Sequence, residues 1–340
     1  MVIRAAKESE LEEIAELQQR VFRPDQPDSV ARYLVYAKED PTYTLDHSRV
    51  IEHEGRLVAH LRIWDRTLRI READLFAAGI GSLCVDPDCR GRGYAHALMA
   101  DSERYFFQAW YDLGLLFTII GTPFYEAQGW IPIALPTFDF GKVMGKHMPD
   151  GVRILDVTRD LEAVRNIHEV SGLVYESAAV RPEGYWTDGP ARVRATFPTL
   201  GAERDGVLVA YVTVESDDAE AWVKEACAFI GEEEAYERLV AAVLALCDGK
   251  KLEGSLPQDH AFINVLEATI GAPVDWDTHD EMMVKGVNWP VLQEKLGVES
   301  NSRDGGEDLF WRNLLGEKPF YWWTDIFICL LGISPFLSRF

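Results

Sequence analysis

Cysteine is scarce in this 340-residue chain. Five residues, Cys84, Cys89, Cys227, Cys247 and Cys329, are scattered, odd in number and without a CxxC pair. That spacing excludes a disulfide framework and a cysteine zinc site, so no metal is expected, and reduced thiols suit a cytoplasmic setting. Positive charge is scarce too. Thirty-four Lys and Arg face 56 Asp and Glu, a formal net charge of -22. Such a surface disfavours nucleic acid and anionic membrane and attracts cations. The N-terminal MVIRAAKESELEE has no apolar h-region. Long apolar runs are missing as well. Phe320 to Phe340 carries only Asp325 and Arg339 as charges, yet its longest uninterrupted stretch is Ile326 to Ile333, short of the roughly 20 residues a bilayer requires. This tail is expected to dock on the protein's own apolar surface.

What is present is an ordinary globular balance, 47% hydrophobic and 26% charged, in a length that suits two domains. The chain is also written twice. Val2-Ile3-Arg4 starts a strand, and Ser9 with Glu12 reads as a capping box before a helix with Leu11, Ile14, Leu17 and Val21 on one face. Val152-Arg153-Ile154 repeats the strand, and Thr158 reads as the cap of a helix whose face is Leu161, Val164 and Ile167. Glu54-Gly55 and Asp205-Gly206 each turn into a strand, a hairpin signal in which Gly supplies the positive φ. The expected organisation is an α/β (α+β) fold of mixed sheets flanked by helices. Two copies of one domain cover 1–146 and 147–287, and a short C-terminal segment, 288–340, contains the polar linker Glu299 to Glu307.

The first copy reads as a helix ending near Phe22, a helix from Ser29 to Ala37, and strands at Ser48–Glu54, Leu57–Ile70 and Leu75–Val85. A long helix from Gly93 to about Leu113 follows, then a buried strand Leu115–Ile120, a short helix near Phe124 and a strand from Trp130. Between the third strand and the long helix lies Val85-Asp86-Pro87-Asp88-Cys89-Arg90-Gly91-Arg92-Gly93-Tyr94-Ala95. Free amides at a helix N-terminus and the helix dipole favour an anion. Gly91 and Gly93 allow close backbone approach, and Arg90 and Arg92 add charge-assisted hydrogen bonds. Arg90 to Ala95, with Tyr94, is the candidate pyrophosphate site. The equivalent run of the second copy, Gly231-Glu232-Glu233-Glu234-Ala235-Tyr236, puts three carboxylates where a pyrophosphate would bind.

Arg90, Gly93 and Ala95 resemble the [R/Q]-x-x-G-x-[G/A] acetyl-CoA signature of the GNAT superfamily. The resemblance implies acetyl-CoA as cosubstrate, held partly by main-chain groups of Leu83, Cys84 and Val85. Phe124-Tyr125-Glu126-Ala127-Gln128-Gly129-Trp130 resembles the superfamily's F-Y-x-x-x-G-[F/W] segment, which implies Tyr125 as general acid toward the leaving thiolate. The implied chemistry is direct attack by a neutral amine, with no cysteine nucleophile. Cys84 reads as a small apolar residue. No base stands out, since Glu52, His53 and Glu54 read as solvated.

Tandem copies with the coenzyme motif in the first resemble the enhanced intracellular survival family, which acetylates amines including aminoglycosides and lysines. Arg181 with Tyr185-Trp186, Leu256-Pro257-Gln258-Asp259-His260 and Met282-Met283-Val284-Lys285 extend the match. That family implies a chain-terminal carboxylate as base, here that of Phe340. It also has a third domain of about a hundred residues, where only about fifty remain here. The expected partner is a cationic small-molecule amine or a lysine side chain, without nucleic acid or membrane, and a homo-oligomer stays open. A protein or peptide lysine acetyltransferase and a non-catalytic acyl-CoA-binding protein are the alternatives. Tyr125 weighs against the latter.

Overall fold

Two tight hairpins, one in each half of the chain, share the same backbone geometry. Glu54 and Gly55 both sit at positive φ, 53° and 76°, and Asp205 and Gly206 repeat this at 52° and 78°. This is the pair of left-handed residues that a two-residue turn needs to match strand twist. In a computed structural model the described residues are 1–26, 28–156, 158–175, 177–187, 197–298 and 310–311. Phe340 and the tail Phe320–Phe340 lie outside them, as does the linker at 299–307.

The first half contains β1 (Val2–Ala5), α1 (Leu11–Phe22), α2 (Ser29–Glu39), β2 (Ser48–His53), β3 (Arg56–Ile70), β4 (Ala73–Val85), α3 (Tyr94–Gln108), β5 (Leu113–Phe117), α4 (Pro123–Glu126) and β6 (Ile131–Lys142). The second contains β7 (Val152–Ile154), α5 (Leu161–Ser171), β8 (Ser177–Val180), α6 (Glu183–Thr187), β9 (Thr199–Arg204), β10 (Val207–Ser216), β11 (Glu220–Ala228), α7 (Ala235–Leu246), β12 (Lys251–Gly254), α8 (Ala261–Ile270), β13 (Asp275–Gly286) and α9 (Trp289–Lys295). The mixed sheet flanked by helices runs unbroken through both halves, in the order β1-β2-β3-β4-β5-β13-β6-β12-β11-β10-β9-β7, with β8 added to β3.

The centre of that order is an exchange. β13 lies between β5 and β6, antiparallel to both, pairing Val284 with Leu115 on one side and with Ile131 on the other. β6 in turn lies between β13 and β12, with Phe138 opposite Gly254. Each half therefore receives a strand from the other. β4, β5 and β10 are largely apolar runs, as expected where both sheet faces are covered by helices.

In β2, Ser48 reaches His60, which also meets Gln18 of α1, whereas Arg49 reaches Asp101 of α3. Successive strand residues point to opposite faces, so α1 and α3 cover opposite sides of the sheet. The α3 side is filled by Leu98, Phe106, Leu116, Tyr125, Trp130 and Met283.

Several boundaries differ from the sequence expectations. The Ser9 capping box is not formed. A 3-10 turn at Glu8–Glu10 precedes α1, with Glu10 closing back on the Lys7 amide and on Arg4. Thr158 does not cap α5. The Asp156 carboxylate accepts from the Thr158 and Arg159 amides instead, and Asp160 is the N-cap. Helix α3 stops at Gln108 because Trp110 turns left-handed, at φ 63°. β5 begins earlier and ends earlier than expected, since the Thr118 hydroxyl accepts from the Ile120 amide and starts a turn.

Candidate active site

The loop after β4 is shaped by its own polar groups. Pro87–Cys89 form a 3-10 turn capped by Asp86, whose side chain accepts from the Asp88 amide. Asp86 also pairs with Arg20 at 3.5 Å and Arg56 at 3.7 Å. Gly91 and Gly93 then adopt φ of 75° and 79°, a region open to glycine with little steric cost. Gly93 is the N-cap of α3. No side chain caps that helix and no acidic residue lies in its first turn, so the amides face outward with the positive end of the helix dipole. Arg90 and Arg92 are exposed. Tyr94 is different: its ring is buried near His53, which leaves its main chain for a ligand.

Beside the loop the sheet opens. The parallel pairing of β4 with β5 runs from Ala77 opposite Leu113 to Ile80 opposite Leu116 and stops. Beyond it β4 continues to Val85 held only by β3, with Cys84 opposite His60. The Thr118 amide turns to the Glu281 carbonyl of β13, at 2.8 Å, which draws the end of β5 away. β4 also bulges here. Gly81 faces Arg62 and Cys84 faces His60, so Ser82 and Leu83 together oppose Leu61, with Ser82 at φ 51°. A bulge of this kind re-aims main-chain groups, and the free edge of β4 faces a cavity of about 840 Å³.

Leu83, Cys84, Val85, Arg90, Gly91, Gly93, Tyr94, Ala95 and Tyr125 all line that cavity. Arg92 is on the same loop but outside the lining. Val21, Phe22 and Tyr33 of α1 and α2, together with His96 and Thr118, line it as well. Sequence reading did not single these out, since an ordinary amphipathic helix carries no sign of which end will reach a pocket. The walls are mostly apolar, and the cavity passes from the α3 face through the notch to α1 and α2.

Tyr125 is buried at the end of the notch and hydrogen-bonds the Thr118 side chain. Burial raises its pKa, and Thr118 opposes the shift in part. The phenol therefore stays protonated at neutral pH and can donate. Cys84 and His60 face each other, but they are not a nucleophilic pair. Burial pushes the thiol up to about 12 and the imidazole down to about 3. The ring nitrogens of His60 lie 3.2 Å from Gln18 Nε2 and 3.4 Å from Ser48 Oγ. Glu52 is tied to Arg4 at 2.7 Å, and His53 lies 3.9 Å from Glu54. Glu52, His53 and Glu54 are not part of the cavity lining.

The sequence pattern of an Acetyltransferase (GNAT) domain matches residues 2–133, the span that holds this loop and notch. The chain contains a GNAT acetyltransferase domain, and it is an acyltransferase. Among solved structures, a probable N-acyltransferase from Enterococcus faecalis superposes with a TM-score of 0.67 at 15% identity, covering 86% of this chain and 74% of that one. A GCN5-related N-acetyltransferase from Kribbella flavida gives 0.62 at 18%, covering 84% and 72%. Eis1 from Mycobacterium abscessus gives 0.61 at 16%, covering 84% and 74%. At such identities the likeness is one of fold. No curated protein matches.

The counterpart of the GNAT loop in the second half is built differently. β11 also runs on past its pairing with β12, which ends at Val223 opposite Gly254. The Gly231 amide is taken by the Glu233 carboxylate at 3.1 Å, and Arg204 is bound by Glu232 at 2.8 Å. The strand edge is occupied as well. His260 Nε2 lies 3.1 Å from the Ala226 carbonyl, Nδ1 accepts from the Phe262 amide, and Tyr175 stacks on the ring at 5.6 Å.

Proposed function

We propose that this protein is an N-acetyltransferase that moves an acetyl group from acetyl-CoA to a primary amine by direct attack, with the coenzyme site and the general acid in the first half. The observation that carries the reading is the continuity of one cavity. It joins the uncapped N-terminus of α3, the free edge of β4 and Tyr125. The amides of Gly93, Tyr94 and Ala95, with Arg90 and Arg92, suit a pyrophosphate. The main chain of Leu83, Cys84 and Val85 suits a pantetheine amide, as an added strand pairs with a free edge.

In the reaction a neutral amine forms the new C–N bond at the thioester carbon. Strand amides stabilise the oxyanion. As the C–S bond breaks, Tyr125 gives its proton to sulfur, and the amine's surplus proton leaves to a base. The terminal carboxylate of Phe340 is the proposed base, by resemblance. Domains 1–146 and 147–287 with the segment 288–340, and a cytoplasmic location, belong to the same reading. Tyr125→Phe is the test. CoA release with amine present is expected to fall about 10²-fold in kcat with the acetyl-CoA Kd unchanged. Undiminished turnover would remove Tyr125 from the mechanism, and absence of acetyl-CoA binding would overturn the reading itself.

A further inference from the structure

The donor and acceptor ends of the cavity differ in chemistry. The α3 end is polar and basic, with Arg90, His96 and the free amides. The opposite end, across the sheet, is closed by Val21, Phe22 and Tyr33 from α1 and α2. A pantetheine arm laid along β4 would fill the α3 side and the notch, so an acceptor has to come from the α1/α2 side. Among the described lining residues no carboxylate is present at either end. Asp86, close in sequence to the loop, is committed to Arg20 and Arg56. The polar tip of this end, the Tyr33 hydroxyl, is hydrogen-bonded by Arg23, and Arg32 adds further positive charge nearby.

Resting on the acetyl-transfer reading, we propose that the Val21–Phe22–Tyr33 end is an acceptor subsite for an amine carried on an apolar body, an arylalkyl or alkyl primary amine, and that it selects against polycations. Apolar walls gain from burying a ring or chain. A second ammonium group would lose hydration there with no carboxylate among the described lining residues to meet it. The attacking amine itself enters neutral. Specificity then comes from the body of the acceptor and from the penalty on extra charge.

The full chain with phenethylamine and spermidine as probes decides the matter. Both are assayed as acceptors with acetyl-CoA and titrated calorimetrically into the CoA complex. Phenethylamine is expected to bind the complex and to show kcat/KM at least tenfold above spermidine. Phe22→Asp is expected to reduce or reverse that ratio while leaving the acetyl-CoA Kd and the melting temperature near those of the parent. Preference for spermidine, or failure of phenethylamine to bind the CoA complex, would overturn the subsite. So would a Phe22 effect seen only in the KM of octanoyl-CoA against acetyl-CoA, which would give this end to the acyl chain. Phenethylamine binding without any acetyl transfer supports the subsite and overturns the reaction instead.

Discussion

His260 Nε2 lies 3.1 Å from the Ala226 carbonyl, at the position in the second half where the first half leaves its strand edge open. With Nδ1 accepting from Phe262, the ring is fixed as the Nε2–H tautomer and fills the groove as a permanent main-chain partner. The two halves of the chain thus carry one open notch and one closed by a side chain.

The first prediction concerns stoichiometry. Calorimetry is expected to find one acetyl-CoA per chain. Arg90→Glu should weaken binding at least tenfold by removing a charge-assisted contact and adding repulsion. Arg204→Glu, at the second loop, should leave donor affinity unchanged. Two equivalents bound per chain would contradict the closed second notch.

Acid should destabilise the fold well above the carboxylate range. His60 and His260 are both held near pKa 3 by burial, against about 6.5 in an unfolded chain. Between those values the unfolded state binds protons that the native state does not, so stability is full above about pH 6.5 and falls as pH drops. The slope is on the order of 1 kcal/mol per pH unit for each histidine. Urea midpoints at pH 7 and pH 5.5 measure it, and His260→Gln should flatten the dependence. An identical slope in the variant would assign the acid sensitivity elsewhere.

Two glycines should fail in different ways. A Cβ on Gly93 meets nothing within 4 Å, but φ of 79° strains any L side chain by about 1 kcal/mol. Gly93→Ala should raise the acetyl-CoA KM severalfold with a small loss of stability. A Cβ on Gly114 comes 2.6 Å from Trp130 Cη2. Gly114→Ala should cost about 1–3 kcal/mol by overpacking, seen as a lower melting temperature with KM little changed. The reverse pattern would count against the loop as the donor site.

Much of this was legible in the sequence, and the reasons are local. Gly-rich turns such as Glu54-Gly55 announce their φ values, and the Arg90-to-Ala95 string sits between an apolar strand and an amphipathic helix. Helix starts were less legible. Ser9 and Thr158 are good caps by type, yet Glu10 and Asp156 satisfy the backbone groups instead. The exchange of β6 and β13 was not legible at all. β6 is largely apolar, whereas β13 carries Asp275, Asp277, Glu281 and Lys285 beside Trp276, Met282, Met283 and Val284, and nothing in either pattern states which neighbour a strand will choose.

That exchange carries its own prediction. A fragment of residues 1–146 loses β13, the partner of β5 and β6, and exposes two apolar strand edges. It should be insoluble or lack native circular dichroism. Co-expression with 147–340 should restore a soluble complex. A monomeric, cooperatively folded 1–146 would show that the exchanged strand is dispensable.

The two arginines of the phosphate loop stand in a chain of net charge -22, and this separates how fast a ligand arrives from how tightly it stays. A coenzyme with several phosphates meets repulsion at long range and attraction only within the last few ångströms. Added salt screens the first over a Debye length of about 10 Å at 0.1 M. Acyl-CoA should accordingly dock faster as ionic strength rises from very low values, and the chain's field acts as a kinetic filter against anions that lack a fit to the loop.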